Sequence, residues 1–388
     1  MLKINVIIYT LFLLSGVIKS FMFINVLPVD LTLTTGIYCI VVIFKSVLLS
    51  RKIYISGLVD TLVILIIFYI WLTFSMIYSA SSEYALQKYL LSYLNLIAFC
   101  YPIFCKFCYK TFIKSIVFIS VILLILFLII KLSFSYAFIS DNNLKSIYLY
   151  FGLLLGFTLI FLKTIDFRFK FIIFLILFSG LIISSARGPL IFYVFTIFIT
   201  TMFFGKFSRN ITIKFNILYV VFPLFVSALL ITNTLAFQFV TDLLHSTIIR
   251  FSVLFTSSGG ESVSTRYHLY SQAINMFSEN ILLGNGLGSF GIYVTGFDVK
   301  LYPHNILLEL LSEAGIISVF IFSIFILSMF NKIRSNNIVF LVCLYAFFNM
   351  MKSNSFEELR MFFGFLAVAL LYAQETRPFR AKCSAIAT

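Results

Sequence analysis

Apolar stretches of about 20 residues alternate with short polar segments along nearly the whole chain. A bilayer core of about 30 Å requires apolar helices of this length, because backbone groups in lipid must be satisfied within their own helix. The pattern predicts an all-α polytopic membrane protein with about 12 transmembrane helices. We place the spans at Ile4–Val26, Leu31–Leu49, Gly57–Tyr78, Tyr89–Cys105, Ile113–Lys131, Ile147–Leu162, Phe169–Ser184, Pro189–Phe204, Phe215–Leu235, Asn305–Met329, Ile338–Met351 and Met361–Ala373.

One long polar interval interrupts this pattern, between the ninth and tenth predicted spans. It contains all three histidines of the chain, His245, His268 and His304, and two arginines, Arg250 and Arg266, that no helix end requires. We divide the chain accordingly into helices 1–9 (1–233), a loop with an amphipathic helix and the candidate site residues (234–304), helices 10–12 (305–373) and a short polar tail (374–388).

The composition excludes an ordinary soluble protein, because 62% of the residues are hydrophobic and 11% are charged, against about 25% charged in soluble domains. A net charge of +14 would suggest nucleic acid binding in a soluble protein. Here most lysines and arginines lie in alternate loops, and most acids lie in the loops between them. The positive-inside rule therefore predicts cytoplasmic termini, an external 234–304 loop and no nucleic acid partner. No small-residue cleavage site follows the first apolar run, which we interpret as a retained helix.

Neither the cysteines nor the histidines have the spacing of a metal site. The six cysteines imply no disulfide framework, because none falls in a segment predicted outside the cytoplasm or lipid. Cys105 and Cys108 form a C-x-x-C pair, but no second pair or nearby histidine completes a zinc site. We therefore predict no metal and no cofactor.

Arg187 lies on the predicted external side, in the tight connection Ser184–Pro189 between spans seven and eight. One interpretation is an arginine that extends from a helix end to the membrane interface. The other is a phosphate site, because the guanidinium would lie beside the free N–H groups of a helix that Pro189 opens. Gly188 would let a ligand approach the backbone closely.

The segment after Arg266 predicts a helix lying on the bilayer surface. Its apolar residues fall at helical spacing: Leu269, Ala273, Ile274 and Phe277. Arg266 would occupy the first turn, where a cation is disfavoured. This favours a ligand-binding role over a solvated surface arginine.

Three alternate glycines follow in Leu283–Gly288. They could form a backbone nest for an anion, although a flexible turn is the simpler interpretation. Because no strand precedes a helix here, the glycines do not predict a dinucleotide fold.

His304 is the sharpest catalytic candidate. Pro303 fixes the chain before it and an apolar helix follows, so we expect the imidazole on a rigid element at the lipid–water boundary. It could accept a proton from a sugar hydroxyl there; a structural, hydrogen-bonding histidine is the alternative. Glu309 and Glu313 share one face of the next helix and could orient His304 or an arginine, or contact the substrate. Three further charges in apolar segments are interpreted as buried, and they could pair inside the bundle: Lys19, Lys45 and Asp60.

Five short segments, taken in order, resemble the O-antigen polymerase and O-antigen ligase superfamily: Ser185–Gly188, Thr265–Arg266, Ile281–Gly288, Tyr302–Glu309 and Glu313–Gly315. The resemblance implies a GT-C-like fold with a large periplasmic loop between spans 9 and 10. It also implies metal-independent, inverting glycosyl transfer from undecaprenyl-diphosphate-linked saccharides. The reaction would take place at the periplasmic face of the bacterial cytoplasmic (inner) membrane.

The same resemblance implies roles for individual residues. Arg187 and Arg266 would hold the diphosphate leaving group and stabilise its growing charge, and His304 would act as general base or position the acceptor hydroxyl. Further substrate-binding residues are expected at Gly188, Arg250, Asn305 and Glu309.

Three functions are compatible with this sequence. We favour an O-antigen polymerase, for which a lipid-linked oligosaccharide is both donor and acceptor, because the composition is rich in Phe, Ile, Lys and Asn and the external loop is modest. The second is an O-antigen ligase, which transfers the polymer to lipid A–core. The third is a non-enzymatic transporter of lipid-linked oligosaccharide, disfavoured because the unusual residues cluster on one predicted side. Membrane lipid and a chain-length regulator are the other expected partners.

Overall fold

A computed structural model describes residues 2–21, 30–50, 58–133, 142–165, 168–204, 261–333, 337–352 and 354–386. Within these ranges the regular structure is helical and contains no strand. Its α-helices are α1 (Leu2–Phe21), α2 (Leu31–Ser50), α3 (Val59–Ile77), α4 (Glu83–Phe104), α5 (Tyr109–Ser133), α6 (Asn142–Leu162), α7 (Lys170–Ile183), α8 (Arg187–Phe204), α9 (Glu261–Glu279), α10 (Phe290–Thr295), α11 (Ile306–Ile333), α12 (Asn337–Met350) and α13 (Arg360–Ile386). A short 3-10 helix covers Phe356–Glu358.

Five helices of the described ranges are long and apolar enough to cross a bilayer: Leu2–Phe21, Leu31–Leu49, Val59–Ile77, Tyr109–Lys131 and Ile306–Phe330. Five further apolar helices of the described ranges are shorter: Ile147–Leu162, Lys170–Ile183, Arg187–Phe203, Asn337–Met350 and Arg360–Gln374. The described part of the chain is therefore all-α, as expected of a multi-pass membrane protein.

Eleven of the predicted spans coincide with α1–α8 and α11–α13. The ninth, Phe215–Leu235, lies outside the described residues. Two boundaries differ clearly from the prediction. α4 begins at Glu83, before the predicted Tyr89, and α13 continues to Ile386 through most of the predicted polar tail. The extension of α4, Glu83–Lys88, consists largely of residues with good helix propensity, and such residues can continue a helix beyond its apolar part.

The helices form two compact units. The first comprises Lys3–Thr34 and Lys110–Ser257, and the second comprises Thr35–Tyr109 and Ser258–Thr388. In the first, α6 packs against α7 and α8, and its Phe151 ring stacks on Phe127 with centroids 5.1 Å apart.

In the second unit α13 packs along α4, α3 packs along α11, and α9 packs on α11. Aromatic side chains fill the space between them, such as Phe325, whose ring lies 5.7 Å from both Phe99 and Phe363. This unit contains the whole 261–305 segment and hence two of the candidate site residues, Arg266 and His304.

α11 is broken at Gly315, whose φ of 72° and ψ of −178° are not helical. The carbonyl groups just before the break bond to neighbouring segments. The Asn285 N–H donates to the Ser312 carbonyl at 3.0 Å, and the Trp71 indole N–H donates to the Ala314 carbonyl at 2.9 Å. Carbonyl groups next to the break therefore accept hydrogen bonds from the loop before α11 and from α3.

The prediction of buried charges in the apolar helices named the wrong residues. Lys45 and Asp60 are exposed, and Lys19 forms a partly exposed ion pair with Asp30. The buried lysines of the described ranges include Lys88 and Lys131 instead.

Candidate active site

In the first unit, Arg187 begins α8 directly after the turn that follows α7. Ser185 in this turn has a φ of 61°, and its carbonyl oxygen accepts a hydrogen bond from the Arg187 N–H at 3.1 Å. The buried Lys131 ammonium donates to the Ile183 carbonyl oxygen at 2.7 Å and neutralises part of the negative end of α7. Lys131 of α5 thus holds the turn that presents Arg187.

A glycine on α6 makes room for this turn. A Cβ at Gly152 would lie 2.5 Å from the Ala186 Cβ and 3.3 Å from the Ser184 hydroxyl oxygen. Gly188 is buried, whereas Arg187 is partly exposed. The tight connection is confirmed, and phosphate binding by Arg187 and Gly188 stays a prediction.

In the second unit, Arg266 lies in the second turn of α9, because this helix begins at Glu261. The sequence placed it in the first turn, so the argument from an unfavourable helix N-terminus no longer applies. Arg266 is partly buried and lies near Tyr270, one turn later. Burial raises the pKa of Tyr270, while the positive charge of Arg266 opposes this shift.

The sequence predicted that the apolar face of α9 contacts the bilayer. In the structure this face packs on protein instead. Its buried residues are Leu269, Ala273 and Met276, which form a cluster with Phe290 of α10. Leu301 and Leu308, on either side of His304, pack against this cluster. One hydrophobic cluster therefore joins the helix that carries Arg266 to the segment that carries His304, while the predicted face residue Ile274 is exposed.

His304 has a left-handed φ of 56°, which histidine adopts more often than most residues. Its ring packs against Tyr302, with centroids 4.5 Å apart and planes at 64°. Pro303 between them is buried. Burial raises the pKa of the Tyr302 phenol, and the Glu358 carboxylate raises it further, so Tyr302 is a neutral partner for the imidazole at physiological pH.

Asn305 caps the N-terminus of α11. Its side-chain oxygen accepts hydrogen bonds from the N–H groups of Leu307 at 3.0 Å and Leu308 at 3.2 Å, as N-cap residues do. The cap fixes the direction in which α11 leaves His304. Substrate binding by Asn305 stays a prediction.

Glu309 and Glu313 meet Lys88 of α4 in a buried ion-pair group, the Lys88 cluster. The Lys88 Nζ atom lies 2.5 Å from Glu309 Oε1 and 2.6 Å from Glu313 Oε2. All three side chains are almost fully buried. Both carboxylates face protein, as expected of charges in an apolar helix, and they share a lysine from a different helix.

Further hydrogen bonds extend the Lys88 cluster to two loops. Glu309 accepts one from the Ser355 hydroxyl at 2.8 Å and one from the Phe356 N–H at 3.1 Å. Glu313 accepts one from the Gly288 N–H at 2.9 Å. The cluster therefore connects the first turns of α11, directly after His304, to α4, residues 284–288 and residues 354–356. The Glu309 carboxylate is occupied by these partners. Its predicted contact with substrate stays a prediction.

The alternate glycines form a buried, closely packed segment in place of a flexible turn. Gly284, Gly286 and Gly288 have φ values of 73°, 97° and 77°, which side chains rarely tolerate. A Cβ at these positions would lie, in order, 2.5 Å from the Gly315 nitrogen, 2.3 Å from the Ser79 Cα and 2.9 Å from the Ala85 Cα. The glycines allow the loop to contact the backbones of α4, α11 and the connection that follows α3.

Asp298 joins the loop before α11 to the start of α4. Its carboxylate accepts hydrogen bonds from the Ser81 hydroxyl at 2.7 Å and from the N–H groups of Ser82 and Glu83 at 3.1 and 3.0 Å. Slight burial acts to raise the pKa of Asp298, but these hydrogen bonds lower it below its ordinary value. Asp298 thus caps α4 from a distant part of the chain.

Lys300 in the same loop pairs with Glu357 at 2.5 Å and with Glu358 at 2.7 Å. Burial acts to lower the pKa of Lys300, but the two carboxylates raise it overall. The loops at residues 78–82, 280–305 and 351–359, which the charge pattern assigned to one side of the membrane, therefore contact one another. Which side this is stays a prediction.

Sequence reasoning missed Lys88 and Lys131. Each stands at the edge of a predicted span, where a lysine is usually solvated or extends to the interface, so neither position indicated burial. Arg250 and His245 lie outside the described residues, and His268 is exposed on α9. Within the described ranges no group of three His, Cys, Asp or Glu side chains could hold a metal ion.

Comparison with protein families finds a match that covers most of the candidate site. Residues 171–323 match a family model described as O-Antigen ligase. This region extends from α7 into α11 and includes Arg187, Arg266, His304 and both carboxylates of the Lys88 cluster. Lys88 itself lies before it. No curated protein matches the chain.

Proposed function

We propose that this chain is an O-antigen polymerase, and the match of residues 171–323 to a family model described as O-Antigen ligase supports a function of this general type. It joins oligosaccharide repeat units carried on undecaprenyl diphosphate at the periplasmic face of the inner membrane. The growing chain is transferred from its lipid carrier to a new lipid-linked unit. The observation that supports glycosyl transfer of this general type is the family match over the region that contains Arg187, Arg266 and His304.

In the proposed reaction a hydroxyl of the acceptor sugar attacks the anomeric carbon of the donor. The new glycosidic bond forms as the bond from that carbon to the diphosphate breaks, with inversion at the carbon. The diphosphate leaves with additional negative charge. Arg187 and Arg266 bind it, because guanidinium groups form strong, often bidentate bonds with phosphate oxygens and stabilise charge that develops in the transition state.

His304 accepts the proton that the acceptor hydroxyl loses. Three features of its surroundings support this role. The residue lies next to the buried Pro303 and the capped start of α11, the neutral Tyr302 ring packs on the imidazole, and the Lys88 cluster fixes the following turns. A base held on a rigid support loses little orientational freedom on reaching the transition state.

The ligase is the second candidate, and the match to an O-antigen ligase family favours it. Polymerase and ligase use the same donor and differ in the acceptor. The proposal of polymerase rests on the composition and the modest size of the predicted external loop, residues 234–304.

Deletion of the gene in its host should leave lipopolysaccharide molecules that carry a single repeat unit on the core, seen by gel electrophoresis. The reason is that repeat units are still made and ligated but no longer joined to one another. Complementation with the intact gene should restore the ladder of long chains. Bare core with accumulated lipid-linked polymer would identify the ligase instead, and unchanged long chains would reject both enzymes.

Complementation with Arg187→Ala, Arg266→Ala or His304→Ala should fail to restore long chains. General-base catalysis contributes about 10²–10⁴-fold, so transfer by His304→Ala should fall by at least about 100-fold. His268→Ala and Arg168→Ala are matched controls, because both side chains are exposed, and both should behave as the wild type. Immunoblots of membranes must show equal protein. A ladder of normal length with any one of the three variants would remove that residue from the mechanism.

A further inference from the structure

The turn between α9 and the glycine segment carries three consecutive exposed apolar side chains. Ile281, Leu282 and Leu283 are 52%, 65% and 42% exposed. The residues before them, Ser278 to Asn280, are polar and exposed. We define Ile281–Leu283 as the apolar turn.

The apolar turn is bound to the break in α11. The Ile316 N–H donates to the Ile281 carbonyl oxygen at 2.9 Å. Gly315 has no side chain at the point of contact, where a Cβ would lie 2.1 Å from the Leu282 carbonyl oxygen. On its other side the turn is bound to the end of α3, because the Tyr78 hydroxyl donates to the Leu283 carbonyl oxygen.

Its position along α11 puts the apolar turn at the depth of hydrocarbon. From Ile316 to Phe330, the end of the apolar span, the helix rises about 21 Å at roughly 1.5 Å per residue. The hydrocarbon core is about 30 Å thick. The break at Gly315, and the turn bound to it, therefore lie several ångströms inside the core or at its edge.

The neighbouring surface is apolar and faces outward. Ile316 and Phe320 of α11 are exposed, as are Phe74 and Ile77 of α3, and both helices belong to membrane-spanning segments. The apolar turn continues this lipid-facing surface. Its backbone groups are suited to such a place, because the Ile281 and Leu283 carbonyls and the Gly284 N–H are hydrogen bonded within the protein, as non-helical backbone at membrane depth requires.

We propose that Ile281, Leu282 and Leu283 insert into the acyl chains of the bilayer, so that the segment between α9 and α11 re-enters the membrane. The occupant of this surface is lipid hydrocarbon. The insertion fixes the height of α9 and of residues 284–288 above the bilayer, and thus the height of Arg266. This inference does not depend on the proposed reaction.

Tryptophan fluorescence can test the insertion, because the chain contains one native tryptophan, whose signal can be subtracted. We would compare Leu282→Trp with Ser278→Trp in the full chain, reconstituted in phosphatidylethanolamine–phosphatidylglycerol vesicles. Ser278 is exposed just before the turn. The Leu282→Trp emission should be blue-shifted, quenched several-fold more by lipids brominated on the acyl chains, and protected from aqueous iodide. Ser278→Trp should show the reverse.

Two outcomes would overturn the proposal. Equal iodide quenching of the two variants would place the apolar turn in water. Protection of Leu282→Trp from both iodide and brominated lipid would mean that protein covers it. Ile281→Trp provides a second probe if Leu282→Trp does not purify as a monodisperse protein.

Discussion

Lys88→Met should lower the free energy of unfolding by about 3–5 kcal/mol, the usual cost of removing one partner from a buried ion pair. The substitution keeps most of the side-chain volume but leaves Glu309 and Glu313 buried together without their shared cation. Unfolding in mixed micelles by increasing SDS, followed by Trp71 fluorescence, measures the change. Trp71 is a suitable reporter because its indole N–H is bonded to the Ala314 carbonyl at 2.9 Å, one residue after Glu313.

Two control variants separate charge from packing. Lys45→Met removes an exposed lysine and should change the stability by less than about 0.5 kcal/mol. Lys88→Met combined with Glu309→Gln and Glu313→Gln removes all three charges at similar volume and should recover much of the loss. If Lys88→Met unfolds like Lys45→Met, the Lys88 cluster does not stabilise the second unit.

Gly284→Ala should lower the free energy of unfolding by about 2–5 kcal/mol. Of this, about 1–2 kcal/mol is the cost of a side chain at a φ of 73°, where the Cβ meets the backbone. A further 1–3 kcal/mol, approximately, arises because the new Cβ would lie 2.5 Å from the Gly315 nitrogen and 2.6 Å from the Ala314 nitrogen, and overpacking of this kind costs about that much. The same SDS titration measures the loss.

Gly296→Ala is the matched control. Gly296 has a φ of 77°, and nothing lies within 4 Å of a Cβ built there. The control therefore isolates the backbone cost, about 1–2 kcal/mol, and the difference between the two variants measures the contact with the break in α11. Equal losses would show that the loop does not pack against that break in the membrane.

The candidate site illustrates how far local sequence could lead. Arg187 and His304 were selected from their immediate neighbours, Gly188 and Pro189 for the first and Pro303 for the second, and the structure gives both residues rigid backbone surroundings. The glycines of 284–288 could not be interpreted locally. Their positive φ values serve contacts with Ser79, Ala85 and the break at Gly315, which are distant in sequence.

The membrane class, the positions of eleven helices and the polar segment that contains Arg266 and His304 followed from the sequence alone, because the length of an apolar run and the charge of a loop depend on neighbouring residues. The break at Gly315 and the choice of Lys88, in place of Lys45 or Asp60, as a buried charge were decided by tertiary structure. Lys88 is buried where two opposite charges from another helix, those of Glu309 and Glu313, reach it. That meeting depends on how α4 and α11 pack, which a linear pattern of polar and apolar residues does not specify.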